Sequence, residues 1–459
     1  MTDPTRLTIE AASAAMAAGE LDPVALCEAY LARIEARDRA LNCYITLTAD
    51  MARQAADDSA TRARAGARLG PLDGIPIALK DNIDVAGVAT SNGCGPEAAV
   101  TPDEDAEVVR RLRAAGAVLL GKLNMHEGAL GATTDNAHHG KTENPWRLGY
   151  TPGGSSGGSG AAVAARLSAA ALGTDTMGSV RLPAAYCGVV GLKPSFGLVG
   201  QRGLHLLCQE LDCIGPLTRG VGDAALMLAA MAGYDPDDPT SLAAADAVAI
   251  DVGNTGLAGL KIGVLENYAE VETEADVAAG FERALELIRA AGAEIVSLAL
   301  ADYAPTRARR AGLLVTEAEG WVIHEVGLVE RPQAYSPEFR GMLEFGRDIG
   351  AARLVKAQAT VRRLGFEVRR LLRDVDLIAS PTTPQTAFPF TESAPANQAD
   401  YSALANFAGA PAISLPMGLS ANGLPTGLQL AGRPLGETVL LGAATTLARL
   451  LPNPNLSDT

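Results

Sequence analysis

The stretch from Thr151 to Pro194 constrains this chain more than any other part of it. It opens with eight consecutive residues that are all glycine or serine, Gly153 to Gly160, and a second polar segment, GTDTMGSVR, runs from Gly173 to Arg181. Glycine lets the backbone turn tightly and approach a ligand, and serine supplies a hydroxyl nucleophile or a hydrogen-bonding relay. The two polar segments therefore indicate two halves of one site. A helix over 157–170 and a short buried strand at Leu172 are predicted to join them.

Short apolar strands alternate with helices along the rest of the chain. Residues Ile75 to Leu79 form a predicted buried strand with Lys80 at its end, and Val118 to Leu123 form another. Residues 197–215 are predicted to be irregular. Residues 305–375 are helical and rich in charge, and they are the best candidate for a cap over the site. This alternation predicts an α/β layered fold.

Composition and charge exclude several classes of function. The net charge of −15 makes a nucleic acid an unexpected partner. No apolar run reaches the length of a membrane span, and the N-terminus lacks a basic segment followed by an apolar core, so we expect no membrane association and a cytoplasmic protein. The scattered cysteines form no CxxC pair, which predicts reduced thiols. They are Cys27, Cys43, Cys94, Cys187, Cys208 and Cys213.

Four segments together resemble the amidase signature family. They are the IALKDN run at Ile77–Asn82, the stretch from Thr151 to Pro194, the run NFAGAPA at Asn406–Ala412, and the run GLPTGLQL at Gly423–Leu430. Similar segments extend through nearly the whole chain, with the weakest match over about 235–375. The resemblance implies one α/β/α layered domain, residues 1–459, around a large mixed β-sheet.

The resemblance also implies a catalytic triad of Lys80, Ser155 and Ser179, with a cis peptide bond before Ser155. The two serines are 24 residues apart, which fits the pattern of the family. The donors to the oxyanion are expected to be the backbone N–H groups of Thr176, Met177, Gly178 and Ser179. Met177 stands where the commonest form of the family has glycine, and its side chain is expected to narrow the acyl pocket.

Physical chemistry gives the three residues their roles. A serine hydroxyl such as that of Ser179 is a weak nucleophile, so a base must lie within hydrogen-bond reach. Ser155 can take its proton only by passing its own onward, and Lys80 can accept that proton only when neutral. The free ammonium has a pKa of about 10.4, and burial would lower it by several units.

Residues around the triad have both functional and structural interpretations. Asp175 and Arg181 predict an ion pair that orients the loop, or a purely structural pair. Ser156 is a further candidate for a residue that supports the loop, and a structural role is favoured for it. A structural role is also favoured for Ser159 on the following helix. The walls of the substrate pocket are predicted from apolar residues that could equally pack the core. They are Met125, Leu130, Leu204, Leu206, Leu207, Met342 and Phe345.

Four competing motifs fit less well. The run from Gly153 to Gly157 matches the G-x-S-x-G nucleophile elbow, but the later histidines, His205 and His324, have no recognisable context. The run GAVLLGKL nearly matches a P-loop, but Leu123 stands where serine or threonine must hold Mg²⁺. His138 and His139 lack a spaced third metal ligand, and His126-Glu127 lacks the second histidine of a zincin.

The sequence therefore predicts an amidase that cleaves the C–N bond of carboxamides, most of all apolar or aryl amides, through a serine acyl-enzyme. Alternatives within the resemblance are a carbamate hydrolase, a biuret or allophanate hydrolase, and the amidotransferase A subunit that acts on glutamine for tRNA. A non-catalytic scaffold is disfavoured because Lys80, Ser155 and Ser179 are all present. A nucleotide-binding protein is disfavoured by the incomplete P-loop. We expect no metal or other cofactor, a small-molecule amide as substrate, and a monomer or homodimer.

Overall fold

The computed structural model describes residues 3–248, 250, 256–452 and 454, and one large mixed β-sheet runs through them. Its strand order is β1-β3-β2-β6-β8-β7-β12-β13-β11-β9-β10, and β4 and β5 form a separate pair. The strands are β1 (Tyr44–Leu47), β2 (Pro76–Lys80), β3 (Val118–Leu123), β4 (Asp135–Asn136), β5 (Gly140–Lys141), β6 (Ala170–Asp175), β7 (Val190–Lys193), β8 (Cys213–Thr218), β9 (Lys261–Leu265), β10 (Glu294–Leu298), β11 (Leu377–Pro381), β12 (Ala412–Leu419) and β13 (Pro425–Gly432). The fold is α/β, as predicted.

Helices lie before, between and after the strands. They are α1 (Ile9–Ala17), α2 (Pro23–Leu41), α3 (Ala49–Arg64), α4 (Glu107–Ala114), α5 (Gly157–Ala164), α6 (Arg181–Cys187), α7 (Val221–Met231), α8 (Ala275–Ala290), α9 (Pro305–Glu330), α10 (Pro337–Asp348), α11 (Ala351–Leu371), α12 (Ala403–Phe407) and α13 (Glu437–Leu450). In the described chain, no helix is apolar over enough turns to cross a bilayer.

The register of two parallel strands creates the setting of the site. Strand β2 pairs with β6, with Ile77 opposite Ala170 and Leu79 opposite Leu172. Both strands are buried along their whole length, which is typical of parallel strands covered on both faces. Because the strands run in the same direction, Lys80 at the end of β2 lies beside the polar segment in which β6 ends.

Two local predictions differ from the structure. The helix predicted over 157–170 ends at Ala164, because Arg166 adopts a left-handed conformation with φ of 59° and Ala170 already pairs with β2 and β8. The predicted irregular segment 197–215 overlaps β8, which lies between β6 and β7 in the sheet. Gly215 and Pro216 are residue types that disfavour strands, so the local sequence does not predict β8. A Cβ at Gly215 would lie 2.1 Å from the Leu192 carbonyl oxygen, so glycine lets the neighbouring chain approach.

The region 305–375 contains three helices, α9, α10 and α11, and α9 packs against both of the others. The strands of the large sheet come from positions between Tyr44 and Gly432, and this supports our proposal that the chain forms one domain.

Candidate active site

Lys80 is fully buried, and two hydroxyl oxygens surround its amine. Its Nζ lies 2.7 Å from Ser155 Oγ and 2.7 Å from Thr174 Oγ1. Burial lowers the pKa of Lys80 to about 7, against the raising effect of the Asp212 and Asp175 charges. A substantial fraction of this lysine is therefore neutral near pH 7, which is the form that can accept a proton.

Ser155 is held in the tight turn before α5. It is fully buried, and the peptide bond between Gly154 and Ser155 is cis, as the resemblance implied. A Cβ at Gly154 would lie 2.6 Å from the Thr133 nitrogen, so the adjacent loop packs directly against this backbone. Glycine at position 154 is what allows the neighbouring loop to approach so closely.

Ser179 lies in the loop between β6 and α6, where it is partly exposed and lines a cavity. Its carbonyl oxygen accepts a hydrogen bond from the Ser156 N–H at 3.3 Å, so the two polar segments of the sequence meet here. Within the described residues, no hydrogen bond joins the Ser155 and Ser179 hydroxyls. The structure thus brings Lys80 and Ser155 into contact and carries Ser179 to the cavity wall.

The loop before Ser179 presents three free backbone donors. Among the described residues, the N–H groups of Thr176, Met177 and Ser179 have no hydrogen-bond partner. The predicted fourth donor is corrected, because the Gly178 N–H donates to Asp175 Oδ1 at 2.7 Å. Gly178 has a φ of 138°, and a Cβ there would lie 2.3 Å from Leu182 Cδ1, so the loop requires glycine at this position.

Asp175 and Arg181 form the predicted ion pair, and both side chains are fully buried. Arg181 Nε and Nη2 donate to the Asp175 carboxylate at 3.0 and 2.8 Å. Burial tends to raise the pKa of Asp175, but the charge and hydrogen bonds of Arg181 hold it well below its usual value. The same carboxylate accepts the N–H groups of Gly178 and Val180, so the ion pair fixes the shape of the loop.

Arg181 has further partners that the sequence did not reveal. Its Nη1 donates to Gln429 Oε1 at 2.6 Å and to the Ser402 carbonyl oxygen at 2.9 Å, and its Nη2 donates to Asn406 Oδ1 at 2.6 Å. Asn406 and Gln429 belong to the two C-terminal segments that carry the family resemblance. Their position in those two segments is the only feature of the sequence that could have indicated a role in holding the loop before Ser179.

Two further serines join the polar segments as structural residues. Ser156 Oγ donates to the Thr174 carbonyl oxygen at 3.1 Å and accepts the Thr174 N–H at 3.2 Å. Ser159 Oγ donates to the Leu172 carbonyl oxygen at 2.8 Å. These contacts hold α5 against β6, and they favour the structural interpretation of both serines.

A cavity of about 150 Å³ opens beside Ser179. Two of the predicted wall residues, Leu130 and Leu207, line this cavity, and helix α9 adds residues that the sequence could not single out. The lining residues are Ala129, Leu130, Gly131, Ala132, Thr176, Met177, Gly178, Ser179, Leu182, Leu207, Arg309, Leu313, Thr316, Pro395, Ala396, Gln398 and Ala399.

The other predicted wall residues lie elsewhere. Met125 does not line the cavity, although it is buried in the same apolar cluster as Leu130 and Leu207, and Met342 packs against that cluster. Leu204 belongs to the main core, because its backbone pairs with Ile83 and turns the side chain inward. Leu206 also packs against the main core, and Phe345 is 47% exposed on α10.

Each histidine side chain has a neighbour other than the two serines. His138 pairs with Glu127 at 3.1 Å, and His139 contacts the Cys94 carbonyl oxygen at 2.9 Å. His205 pairs with Asp84 at 3.0 Å, and His324 packs edge-on against aromatic rings. His126 lies beside Thr133. In the described chain, no histidine ring bonds to the hydroxyl of Ser155 or Ser179, whereas the nucleophile-elbow alternative needs such a contact.

Known proteins share this architecture. The family model described as Amidase matches residues 25–441. The chain belongs to the amidase signature family. The A subunit of the glutamyl-tRNA(Gln) amidotransferase from Chloroflexus aurantiacus is 41% identical to this family member over 413 residues, which are 85% of this chain and 84% of that protein.

Solved structures of the amidase signature family superimpose over nearly the whole chain. The peptide amidase from Stenotrophomonas maltophilia is 32% identical, has a TM-score of 0.85, and the match covers 98% of each chain. A chain from a complex described as vestigial, which reveals the evolutionary origins of an s-triazine catabolic enzyme, is 33% identical with a TM-score of 0.90. That match covers 98% of this chain and 100% of the other.

Proposed function

We propose that this chain hydrolyses the C–N bond of small linear amides through an acyl-enzyme on Ser179. The observation that carries the proposal is the buried contact between Lys80 and Ser155 at 2.7 Å, next to a loop with free backbone donors. A lysine with a pKa near 7 can serve as a base at neutral pH. Membership of the amidase signature family supports the same chemistry.

The proposed first half-reaction moves two protons. Ser179 Oγ attacks the carbonyl carbon and passes its proton to Ser155, whose own proton moves to neutral Lys80 Nζ. The carbonyl oxygen becomes an oxyanion, which the N–H groups of Thr176, Met177 and Ser179 can bind. When the C–N bond breaks, the leaving amine takes a proton back along the same relay.

Water completes the turnover in the second half-reaction. It attacks the acyl carbon while Ser155 and Lys80 take up its proton, and the ester bond to Ser179 breaks. The oxygen of Ser179 recovers a proton, and the carboxylic acid leaves. The relay ends this step in the state in which it began, so the enzyme is regenerated without a further reactant.

The cavity limits the size and polarity of the substrate. Its volume of about 150 Å³ lies below the range of about 300–1,000 Å³ that is usual for drug-sized ligands. Most of its lining is apolar, with Leu130, Leu207 and Leu313 among its walls. These features support a small apolar part next to the scissile bond. Carbamates and biuret- or allophanate-type amides are alternatives of the same size.

A second candidate is an amidotransferase A subunit. A relative named as the A subunit of glutamyl-tRNA(Gln) amidotransferase is 41% identical over 85% of this chain. This similarity favours glutamine as the substrate. Glutamine also brings an ammonium group. Among the described residues that line the cavity, no carboxylate side chain is present to receive it. This argument favours a free-standing amidase.

A substrate panel tests the proposal. Purified protein is assayed with primary amides, anilides, carbamates, biuret and glutamine, and the Ser179→Ala variant serves as the blank. Hydrolysis of an amide that depends on Ser179 supports the proposal. Turnover of glutamine alone would establish the second candidate instead.

Further features of the proposed enzyme remain predictions. The six described cysteines are buried and unpaired, which supports the cytoplasm as its compartment. Three residues of α9 reach the cavity, which supports a capping role for the region 305–375. We propose that the enzyme acts on its small-molecule substrate as a monomer or homodimer.

A further inference from the structure

Arg309 of α9 brings a positive charge to the cavity that Ser179 lines. Its Nε donates to Asp400 Oδ1 at 2.6 Å, and Asp400 is held in turn by Thr306 Oγ1 at 3.1 Å. Among the described residues, Nη1 and Nη2 of Arg309 have no partner. The side chain is only 12% exposed, so a guanidinium edge with unused donors is largely shielded from water.

Gln398 presents a second unused donor to the same cavity. Gln385 Nε2 donates to the Tyr186 hydroxyl at 2.7 Å, and that hydroxyl donates to Gln398 Oε1 at 3.1 Å. With its Oε1 on the Tyr186 hydroxyl, Gln398 has Nε2 left for the cavity. Gln398 is 5% exposed, and its Nε2 has no partner within the described chain.

One charged side chain lies in the described cavity wall, and its ion-pair partner Asp400 is not among the lining residues. Among the described residues that line the cavity, Arg309 is the charged one, and the others are apolar, hydroxyl or amide residues. Asp400 engages Nε and leaves the edge formed by the two Nη atoms, which can bind a carboxylate with two parallel hydrogen bonds. A buried cation and a buried amide donor on one wall match an anionic oxygen pair.

We propose that the cavity selects small amides that carry a carboxylate, with Arg309 Nη1 and Nη2 and Gln398 Nε2 binding that carboxylate while Ser179 attacks the amide. This inference rests on the proposed function and names its substrate class. The apolar walls then contact the short carbon chain between the carboxylate and the scissile amide. The proposal replaces the expectation of an uncharged apolar or aryl substrate.

Matched substrate pairs test the proposal. Malonamate, succinamate and glutaramate are each compared with the diamide of the same chain length, in which a neutral carboxamide replaces the carboxylate. The measured quantity is the ratio of kcat/KM for the anionic substrate to kcat/KM for the neutral one. We expect the parent protein to prefer the anion for at least one chain length.

The variants change the ratio in defined directions. Arg309→Met should lower it by about 10- to 100-fold, because a charge-assisted pair of hydrogen bonds is lost. Gln398→Glu should also lower it, because the new carboxylate can still accept from Tyr186 but repels the substrate anion. Arg310→Met is the matched control, since it removes the same charge from the exposed neighbour on α9 and should keep the parent ratio.

Binding provides a second readout that needs no turnover. Succinamate is titrated calorimetrically into the Ser179→Ala variant with and without Arg309→Met. Loss of binding on Arg309→Met supports the proposal, and equal binding would overturn it. Turnover with an unchanged ratio in Arg309→Met would overturn the carboxylate site and leave the amidase function standing. Binding that depends on Arg309 without turnover of any amide would overturn the proposed function and support the carboxylate site.

Discussion

Lys80 Nζ lies 2.7 Å from Thr174 Oγ1, the same distance that separates it from Ser155 Oγ. Asn82 Nδ2 donates to the same threonine oxygen at 3.2 Å, so Thr174 serves as an acceptor for both residues of the strand end. When Lys80 is neutral, one N–H can remain on Thr174 while the nitrogen lone pair faces Ser155. Thr174 therefore orients the base.

Thr174→Val should slow the reaction and shift its pH dependence. The variant keeps the shape of the side chain but leaves a buried N–H without its acceptor, which costs about 1–3 kcal/mol and predicts a loss of roughly 10- to 100-fold in kcat/KM. A hydrogen-bond acceptor favours the charged amine, so its removal lowers the pKa of Lys80 below about 7. The pH at which kcat/KM rises should therefore move to a lower value. Ser159→Ala is the control, and a rise that stays at the same pH in Thr174→Val would contradict this role.

The sequence predicted the parts of the site that short motifs carry. Lys80, Ser155 and Ser179 lie in contiguous runs whose local backbone is fixed by glycine and by a buried strand. The partners of Arg181 could not be predicted from spacing, because Asn406 and Gln429 reach it from distant parts of the chain. Arg181 begins α6, Asn406 lies in α12 and Gln429 lies in β13, so the three residues meet only in the folded chain.

The walls of the cavity were only partly predictable. Leu130 and Leu207 line it, whereas Met125 and Leu204 are buried against neighbouring elements and do not. Side-chain direction in an irregular loop depends on those contacts. Strand β8 escaped prediction for a related reason, since its pairing partners outweigh the local effect of Gly215 and Pro216.

A serine-directed fluorophosphonate should label Ser179. This hydroxyl is the one that lines the cavity, whereas Ser155 is fully buried. Ser179→Ala should lose hydrolysis by several orders of magnitude while its thermal unfolding stays close to that of the parent. Mass spectrometry of the labelled peptide checks the site, and labelling of Ser155 in an active Ser179→Ala variant would refute the assignment.

Asp175→Asn should destabilise the fold by about 3–5 kcal/mol, because it leaves the buried charge of Arg181 without its partner. The folded-state pKa of Asp175 lies below its unfolded value of about 3.9, so its contribution to stability is present above about pH 4 and is lost as the pH falls. Denaturant unfolding from pH 2 to 7 measures this. The variant should lose part of the acid dependence of the parent, and an equal slope in both proteins would argue against the pair. Asp223→Asn, at a buried carboxylate outside the loop, is the comparison.

Gly312→Ala should narrow the range of acyl groups. A Cβ at position 312 would lie 2.6 Å from Met177 Sδ and 2.8 Å from Phe407 Cζ, so the methionine must move. Because Met177 lines the cavity, its displacement reduces the space beside Ser179. Kinetics on amides of increasing acyl length should show the loss for the longer members. Combining Gly312→Ala with Met177→Gly should restore them, and a double variant as restricted as Gly312→Ala would point to Phe407 instead.

In the proposed proton relay from Ser179 through Ser155, Lys80 is the terminal base. Replacing Lys80 distinguishes this role from a structural one. Lys80→Ala removes the acceptor of the proton, and Lys80→Arg keeps a cation but offers a guanidinium that stays protonated. Both variants should lose activity by orders of magnitude. Lys122→Arg is the control. Lys122 is another buried lysine, on the neighbouring strand β3, and it pairs with Asp81 at 3.2 Å. This variant should keep the pH profile of the parent.

The most direct test is kcat/KM measured against pH for the parent and for Lys80→Arg. For the parent, the rate should rise with pH through one ionisation near 7, as Lys80 loses its proton, and then level off. Lys80→Arg should show no such limb and almost no activity at any pH. An active Lys80→Arg enzyme with the same rising limb would contradict the proton relay.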